Sequence, residues 1–444
     1  MHDGTITSTR WQRFAWCLYD FADSAFPTVI VTAVYVLYFK NVVVGDGVPG
    51  RSDNLWGLAN SAAALVVFLA APLLGAVADL SGRKRHFLAA CAGLCVVATA
   101  LLSLTGEGSV ALAMGLVIAA VVGFEGSCVF YNAFLPELVP PERMERLSGN
   151  GWALGYLGGL GCLLLCFPVA SARPELVPLV VAGWFAVFAA VPLLVLRDRP
   201  RPARAPGAPS FLVQGIARFA GTLRRMREHG QLLRFLAAYF FFNNAVLTII
   251  VFAVAFSSDS LGFTLGENIG LVVVMNVVAA PGAFAFGWVA ERVGARRTIL
   301  VSLGMWLAVV AGAELAVWPG LFEAEMAKGV FWGVAGLASL CIGAIQATSR
   351  TFVGQLAPEG RSGEFFGFMA FAGRGSAIVG PFVFGWVSQT FASQRAAVLS
   401  IGVFFVIGLV LMLRVQDPLR RAPARVKDDN WPPGFPPPVN APRR

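Results

Sequence analysis

Asp20, Asp23 and Glu125 lie within apolar segments of this chain, where a carboxylate can bind a proton or a cation. Asp20 and Asp23 are three residues apart, so a helix would place them on one face. Glu125 lies in a later apolar run. An ionised carboxylate without a partner is costly inside a membrane, so a partner, a bound cation or protonation must offset that cost. We interpret these acids either as sites of proton coupling or cationic-amine recognition, or as a structural hydrogen-bond cluster.

Further polar groups lie in apolar runs later in the chain. Arg374 is interpreted either as the partner of an acid or helix end, or as a group that binds a substrate carboxylate, because a guanidinium can bind a carboxylate bidentately. Four amides are candidates for contacting a polar solute, although polar contacts between helices explain them equally well: Asn243, Asn244, Gln346 and Asn276. We find no phosphate-binding loop, and we expect no cofactor and no metal site.

A charged sequence motif, here called the charged phrase, occurs twice. Each residue of the second copy follows its counterpart in the first by the same number of residues, nearly half the chain length. The first copy contains Gly75, Asp79, Gly82, Arg83, Lys84 and Arg85, and the second contains Gly287, Glu291, Gly294, Arg296 and Arg297. The glycines would allow close helix approach, and each acid could accept hydrogen bonds from a neighbouring helix N-terminus and pair with arginine. The phrase is therefore predicted to be a conformational latch. The alternative is that its basic residues only set orientation in the membrane, and both roles are compatible.

The composition indicates a membrane protein. Hydrophobic residues make up 57% of the chain and charged residues 13%, whereas soluble domains have about a quarter of their residues charged. Twelve apolar runs approach the roughly 20 residues that a membrane-crossing helix needs. The predicted spans are 14–40, 55–79, 86–106, 109–131, 149–171, 176–196, 232–256, 267–290, 298–318, 328–349, 365–389 and 396–413. The prediction is an all-α integral membrane fold with two pseudo-symmetric halves of six helices each.

The domain organisation follows from this division. We predict an N-terminal half at 1–196, a cytoplasmic linker at 197–231 and a C-terminal half at 232–417, followed by a disordered Pro/Arg-rich tail at 418–444. The linker is expected to contain a basic surface helix at 211–228 and to be a solvated or headgroup-associated connector.

Basic residues set the predicted orientation. If the N-terminus is cytoplasmic, only five of the 34 Lys and Arg residues fall in outside segments: Lys40, Arg51, Arg173, Lys328 and Arg395. Arg374 alone is left within a span. Both termini are therefore expected to be cytoplasmic.

These features together resemble the major facilitator superfamily, whose nested repeats are well known. A narrower resemblance is to the vacuole-effluxer-like, or "unknown major facilitator", family. It rests on residues 19–26 (YDFADSAF), 131–138 (YNAFLPEL), 155–159 (GYLGG) and 364–368 (EFFGF), and on Ser349-Arg350. These segments cover nearly the whole membrane domain.

The resemblance implies several properties. In the superfamily the first and fourth spans of each half line a central cavity, which would bring Asp20, Asp23 and Glu125 together at similar depth. The family often has Asn where this chain has Asp23, so the first span has an additional ionisable group. The eukaryotic branch is associated with amino-acid release from the vacuole.

The function predicted from these observations is secondary active transport of a small polar solute, an amino acid or related metabolite, coupled to protons. The alternatives are a sensor or scaffold without transport activity and a membrane-embedded enzyme acting on lipid-linked substrates. The repeat between the two six-helix halves disfavours an enzyme, because such repeats are typical of transporters. The expected partners are a small solute and membrane lipid, with no nucleic acid, in a monomer located in a bacterial plasma membrane.

Overall fold

The computed structural model describes residues 8–45, 51–199, 209–224, 229–391 and 393–420. In this part of the chain, twelve helices are long and apolar enough to cross a membrane. They are α1 (Arg10–Val44), α2 (Arg51–Ser81), α3 (Lys84–Leu101), α4 (Val110–Ala133), α5 (Met144–Ala172), α6 (Val177–Val195), α7 (Gly230–Leu261), α8 (Leu265–Val293), α9 (Ala295–Ala316), α10 (Ala324–Leu356), α11 (Ser362–Thr390) and α12 (Gln394–Leu413). The predicted all-α membrane fold is confirmed.

The tenth span is longer than predicted, and the extra length changes the interpretation of one arginine. The apolar run ends near Ser349, but α10 continues through Arg350 to Leu356, with Phe352 and Val353 buried. Arg350 therefore lies within the helix and is only 3% exposed. The prediction that Arg374 is the only basic residue within a span is wrong, because local hydropathy does not reveal that Arg350 has buried partners.

The first helix changes its winding close to its acids. It is α-helical through Asp23 and takes a π-helical form at Phe26–Ala33, where Val34 N–H donates to the carbonyl of Val29. Such wide turns occur frequently at functional sites. The change follows Asp23 directly, so the carboxylate lies at an irregular point of the helix.

The two halves, α1–α6 and α7–α12, meet through close glycine contacts. A Cβ added to Gly75 on α2 would lie 2.1 Å from the carbonyl oxygen of Gly363 on α11. A Cβ added to Gly287 on α8 would lie 2.9 Å from Cα of Gly149 on α5. The repeated glycines thus occupy equivalent positions, each allowing one half to approach the other.

The repeat also fixes two equivalent turns at the same end of the bundle. Gly82 follows α2 with φ 62°, and Gly294 follows α8 with φ 90°. Glycine tolerates this left-handed region without the Cβ penalty of other residues. We call this end, with the turns at 82–85 and 294–297 and the start of α5, the basic end.

The linker contains a helix at Phe211–Arg224 that packs against α2. A Cβ added to Gly215 would meet the side chain of Val77, and Arg218 Nε lies 3.1 Å from a carboxylate oxygen of Glu364. The predicted surface helix is therefore present at 211–224, with one face packed against α2 and the start of α11 and with Leu212, Val213 and Ile216 exposed. Residues 225–228 and the predicted tail from 421 onward lie outside the described residues.

Candidate functional site

A cavity of about 270 Å³ lies between the two halves and collects most of the predicted site residues. Both halves contribute its walls, through α1, α4 and α5 on one side and α7, α10 and α11 on the other. Six of the predicted residues line it: Asp20, Asp23, Glu125, Asn243, Gln346 and Arg374. The arrangement therefore brings acids, amides and guanidinium groups from distant parts of the sequence into one polar chamber.

An ion pair spans this cavity. Arg374 on α11 contacts the carboxylate of Glu125 on α4, and both side chains are largely shielded, at 29% and 13% exposure. Each charge offsets the cost of placing the other in an apolar bundle. Because the partners belong to different halves, the pair also joins the halves at cavity depth.

A second ion pair lies between the cavity and the basic end. Arg350 on α10 donates from Nη1 to both carboxylate oxygens of Asp20 on α1, at 2.9 and 3.2 Å. Arg350 also donates from Nε to the hydroxyl of Ser148 and from Nη2 to its carbonyl, at 2.8 and 2.7 Å. All three of its nitrogens are thus used, which is the condition for burying a charge.

Aromatic rings and a glycine complete the surroundings of Arg350. Its guanidinium carbon lies 4.7 Å from the ring centroid of Trp16 and 5.6 Å from those of Tyr131 and Trp152. A Cβ added to Gly151 would lie 2.3 Å from Oδ2 of Asp20. The guanidinium is therefore packed against ring faces, which attract cations, and Gly151 leaves the space that the Asp20 carboxylate occupies.

Asp23 differs from the other two acids because it has no ion-pair partner. In the residues that the structure describes, no cationic nitrogen lies within 4.0 Å of its carboxylate, and the thiol of Cys128 donates to Oδ2 at 3.8 Å. The residue is 5% exposed and faces the cavity. A carboxylate in this position is stabilised most simply by a bound proton or cation.

The amides divide into two groups. Asn243 donates to the hydroxyl of Ser376 at 2.8 Å, and Gln346 lies 3.4 Å from the Asn243 oxygen, so both belong to the cavity wall. Asn244 does not reach the cavity: it is fully buried against Gly380, where an added Cβ would lie 1.8 Å from its side-chain oxygen. The cavity is therefore lined by Asn243 and not by Asn244, because neighbouring helical residues point in directions about 100° apart. Asn276 donates within its own helix, to Val272.

The first copy of the charged phrase forms a buried connection between the halves. The two carboxylate oxygens of Asp79 accept hydrogen bonds from the backbone amides of Gly363 and Glu364, at 3.1 and 2.9 Å, in the first turn of α11. Lys84 lies 3.1 Å from Asp79 and 2.6 Å from Glu137. A carboxylate at a helix N-terminus is stabilised by the orphan amides and the helix dipole.

The second copy is not equivalent in its charges. Glu291 is partly exposed and its nearest cation is Arg146, 4.0 Å away. Arg296 instead donates to the carbonyls of Val415 and Leu413, within the C-terminal half. Both copies of the phrase therefore make a close glycine contact. Of their two acids, only Asp79 in the first copy is buried at a helix N-terminus.

Sequence reasoning missed the residues that surround Asp20. Arg350 binds both Asp20 and Ser148, while Tyr131, Asn132 and Trp152 line the cavity. A signal was present, since Arg350 and Tyr131 both fall in segments that resemble family signatures. A single sequence does not show which of those residues face each other.

The arrangement of the twelve helices is that of major facilitator transporters. The structure resembles that of the human organic anion transporter MFSD10 (TETRAN), with a TM-score of 0.71, 19% identity, and coverage of 91% of this chain and 99% of that one. At this identity the likeness shows the fold alone.

The family follows from sequence comparison. The family model described as "Vacuole effluxer Atg22 like" matches residues 52–422, and the chain belongs to this family. It is 30% identical to the uncharacterized MFS-type transporter YxiO of Bacillus subtilis (strain 168), over 91% of this chain and 95% of YxiO. It is 24% identical to autophagy-related protein 22 of Coccidioides immitis (strain RS), over 73% of this chain and 66% of that protein. The chain thus spans slightly under two thirds of this fungal relative.

Proposed function

We propose that this protein is a secondary active transporter that moves a small polar solute by alternating access. The solute class that fits best is an amino acid or a related small metabolite. The observation that supports this most directly is the cavity between the halves, with Glu125 on one wall and Arg374 on the other. A solute with an amine and a carboxylate could replace each partner of this ion pair with its own opposite charge.

The contacts at the basic end fit one state of such a cycle. Asp79 binds the start of α11, and Arg350 binds Asp20 and Ser148, so the halves are joined on that side of the cavity. Access from the basic end requires these contacts to separate. Binding of a solute can shift the equilibrium between such states only if the solute interacts differently with each of them.

Asp23 is our candidate for the proton-coupling site, with Asp20 and Glu125 as the alternatives. Its carboxylate faces the cavity without an ion-pair partner. Protonation would remove a charge that the surroundings do not compensate, and deprotonation would restore the need for a cation or for water. Opening and closing of the cavity would therefore be linked to proton uptake and release, in either a symporter or an antiporter.

The orientation and location are part of the proposal. The basic end faces the cytoplasm according to the positive-inside rule, with both termini on that side. We propose a monomer in a bacterial plasma membrane, on the basis of the resemblance to the Bacillus subtilis protein.

The test is transport by the purified chain in proteoliposomes. A panel of labelled amino acids, amines and carboxylic acids would be measured with and without an imposed pH gradient. We expect accumulation of at least one amino-acid-like solute that is increased by the gradient and competed by unlabelled solute. Uptake no greater than in protein-free liposomes for every panel member, in both gradient directions, would contradict this substrate class.

A further inference from the structure

A second and larger cavity, of about 1050 Å³, lies between α1, α5 and α8. It shares no lining residue with the central cavity. Its volume is at the upper end of the roughly 300–1,000 Å³ typical of small-molecule sites. We call it the lateral groove, lined at one end by Arg13, Arg146 and Glu291 and further along by Phe14, Leu157 and Phe284.

One end of the lateral groove is strongly basic. Arg10 and Arg13 come from the first turn of α1, and Arg143 and Arg146 come from the start of α5. Among the lining residues the acid is Glu291, whose carboxylate lies 4.0 Å from Arg146. Four guanidinium groups therefore face one carboxylate, which leaves an excess of positive charge at this end.

The rest of the groove is mainly apolar, with one amide, Asn150, and on α1 and α5 the arginines precede the apolar residues. On α1, Phe14 lies four residues after Arg10 and therefore on the same face. On α5, Leu157 continues the face of Arg146, at half exposure. On α8, Phe284 lies about two turns before Glu291 and is 56% exposed. The lateral groove therefore has a basic end and an apolar remainder.

We propose that the lateral groove is a binding site for an anionic phospholipid. Its phosphate would lie among the arginines, which bind phosphate oxygens in pairs, and its acyl chains would cover Phe14, Leu157 and Phe284. Basic pockets between membrane helices are known to bind anionic head groups. The acyl chains of a neutral phospholipid would match the apolar part of the groove, but its head group would not neutralise the excess positive charge of the arginines.

The site joins the two halves of the transporter. The arginines belong to α1 and α5, in one half, whereas Phe284 and Glu291 belong to α8, in the other. Asn150 lines the groove, and its neighbour Gly149 meets Gly287 where α5 and α8 approach each other closely. A bound lipid therefore stabilises the arrangement in which these two helices touch.

The test uses the purified full-length protein and native mass spectrometry. The probes are phosphatidylglycerol, phosphatidylcholine with the same acyl chains, and soluble glycerol phosphate. We expect the parent protein to retain phosphatidylglycerol in preference to phosphatidylcholine, and to gain thermal stability from it. The double variant Arg13→Gln/Arg146→Gln should weaken phosphatidylglycerol binding roughly tenfold or more. Arg414→Gln is the matched control, since Arg414 is exposed at the end of α12, outside the lateral groove, and should retain the lipid.

A second variant separates loss of the site from loss of folding. Ala153→Phe keeps all four arginines but places a ring in the lateral groove, and it should also reduce lipid retention. Equal retention of the two lipids by the parent protein, or undiminished retention by both groove variants, would overturn the proposal. Binding of glycerol phosphate as tight as that of the lipid would show a site for soluble anions instead. None of these outcomes depends on which solute is transported.

Discussion

Arg350 and Asp20 form a buried ion pair that joins α10 to α1, although they are separated by most of the sequence. Arg350 Nη1 lies 2.9 Å from Asp20 Oδ2, and Nη2 and Nε of the same side chain bind Ser148. One guanidinium therefore connects the C-terminal half to two helices of the N-terminal half. Its planar group of donors makes all of these contacts at once, which an ammonium group cannot do.

Replacement of Arg350 should weaken the closure at the basic end. Arg350→Lys keeps the charge but loses the bonds to Ser148, and we expect a loss of about 2 to 3 kcal/mol of stability, seen as a lower melting temperature in detergent. Cysteine crosslinking across the basic end should fall in parallel. Arg173→Lys, at an exposed arginine, is the control. An unchanged melting temperature and crosslinking yield for Arg350→Lys would refute the structural importance of this pair.

Gly75 should be intolerant of any side chain. The Cβ of Gly75→Ala would lie 2.1 Å from the carbonyl oxygen of Gly363, so α2 and α11 must separate. We expect a lower melting temperature and greater labelling of cysteines introduced near the start of α11. Gly57→Ala lies in the same helix, where an added Cβ meets nothing within 4 Å, and should be neutral or slightly stabilising. Similar behaviour of the two variants would show that the close approach is not required.

The two acids of the repeated phrase should behave differently. Asp79 is fully buried and accepts two backbone hydrogen bonds, so Asp79→Ala should cost about 3 kcal/mol. Glu291 makes one long, partly exposed contact, so Glu291→Ala should cost roughly 0.5 kcal/mol or less. Thermal unfolding of the two variants in the same detergent checks this difference. Equal losses would mean that the repeat is symmetric in energy as well as in sequence.

Asp23 should control how transport responds to pH. Asp23→Asn is a permanently uncharged replacement of similar size, so substrate flux should lose its dependence on an imposed proton gradient between about pH 5 and pH 8. Exchange of solute between the two sides should persist, because the cavity remains. The control is Glu107→Gln, which changes an exposed acid in the loop before α4. Gradient-driven accumulation by Asp23→Asn at the parent level would exclude Asp23 as the coupling site.

The fold was predictable from sequence because membrane helices are set by local hydropathy and the halves by the repeated phrase. The depth of Asp20, Asp23 and Glu125 also followed from their positions along the spans. The partners of these acids did not. Arg350 is not among the predicted site residues, because the apolar run in the sequence ends just before it. Asn244 is among them, because one sequence does not show which way a residue points around the helix axis. The surroundings of Arg350 and of Asn244 depend on contacts between helices that are distant in the chain.

The measurement that tests the central claim most directly is the substrate-evoked current on a solid-supported membrane. Proteoliposomes containing the parent protein, Glu125→Gln or the control Glu107→Gln would be compared with the solute identified in the uptake panel. The proposed function predicts a current in the parent protein and in Glu107→Gln that is lost in Glu125→Gln, with all three proteins folded by thermal unfolding. A current of parental size in Glu125→Gln would contradict the assignment of the cavity between Glu125 and Arg374 as the transport site.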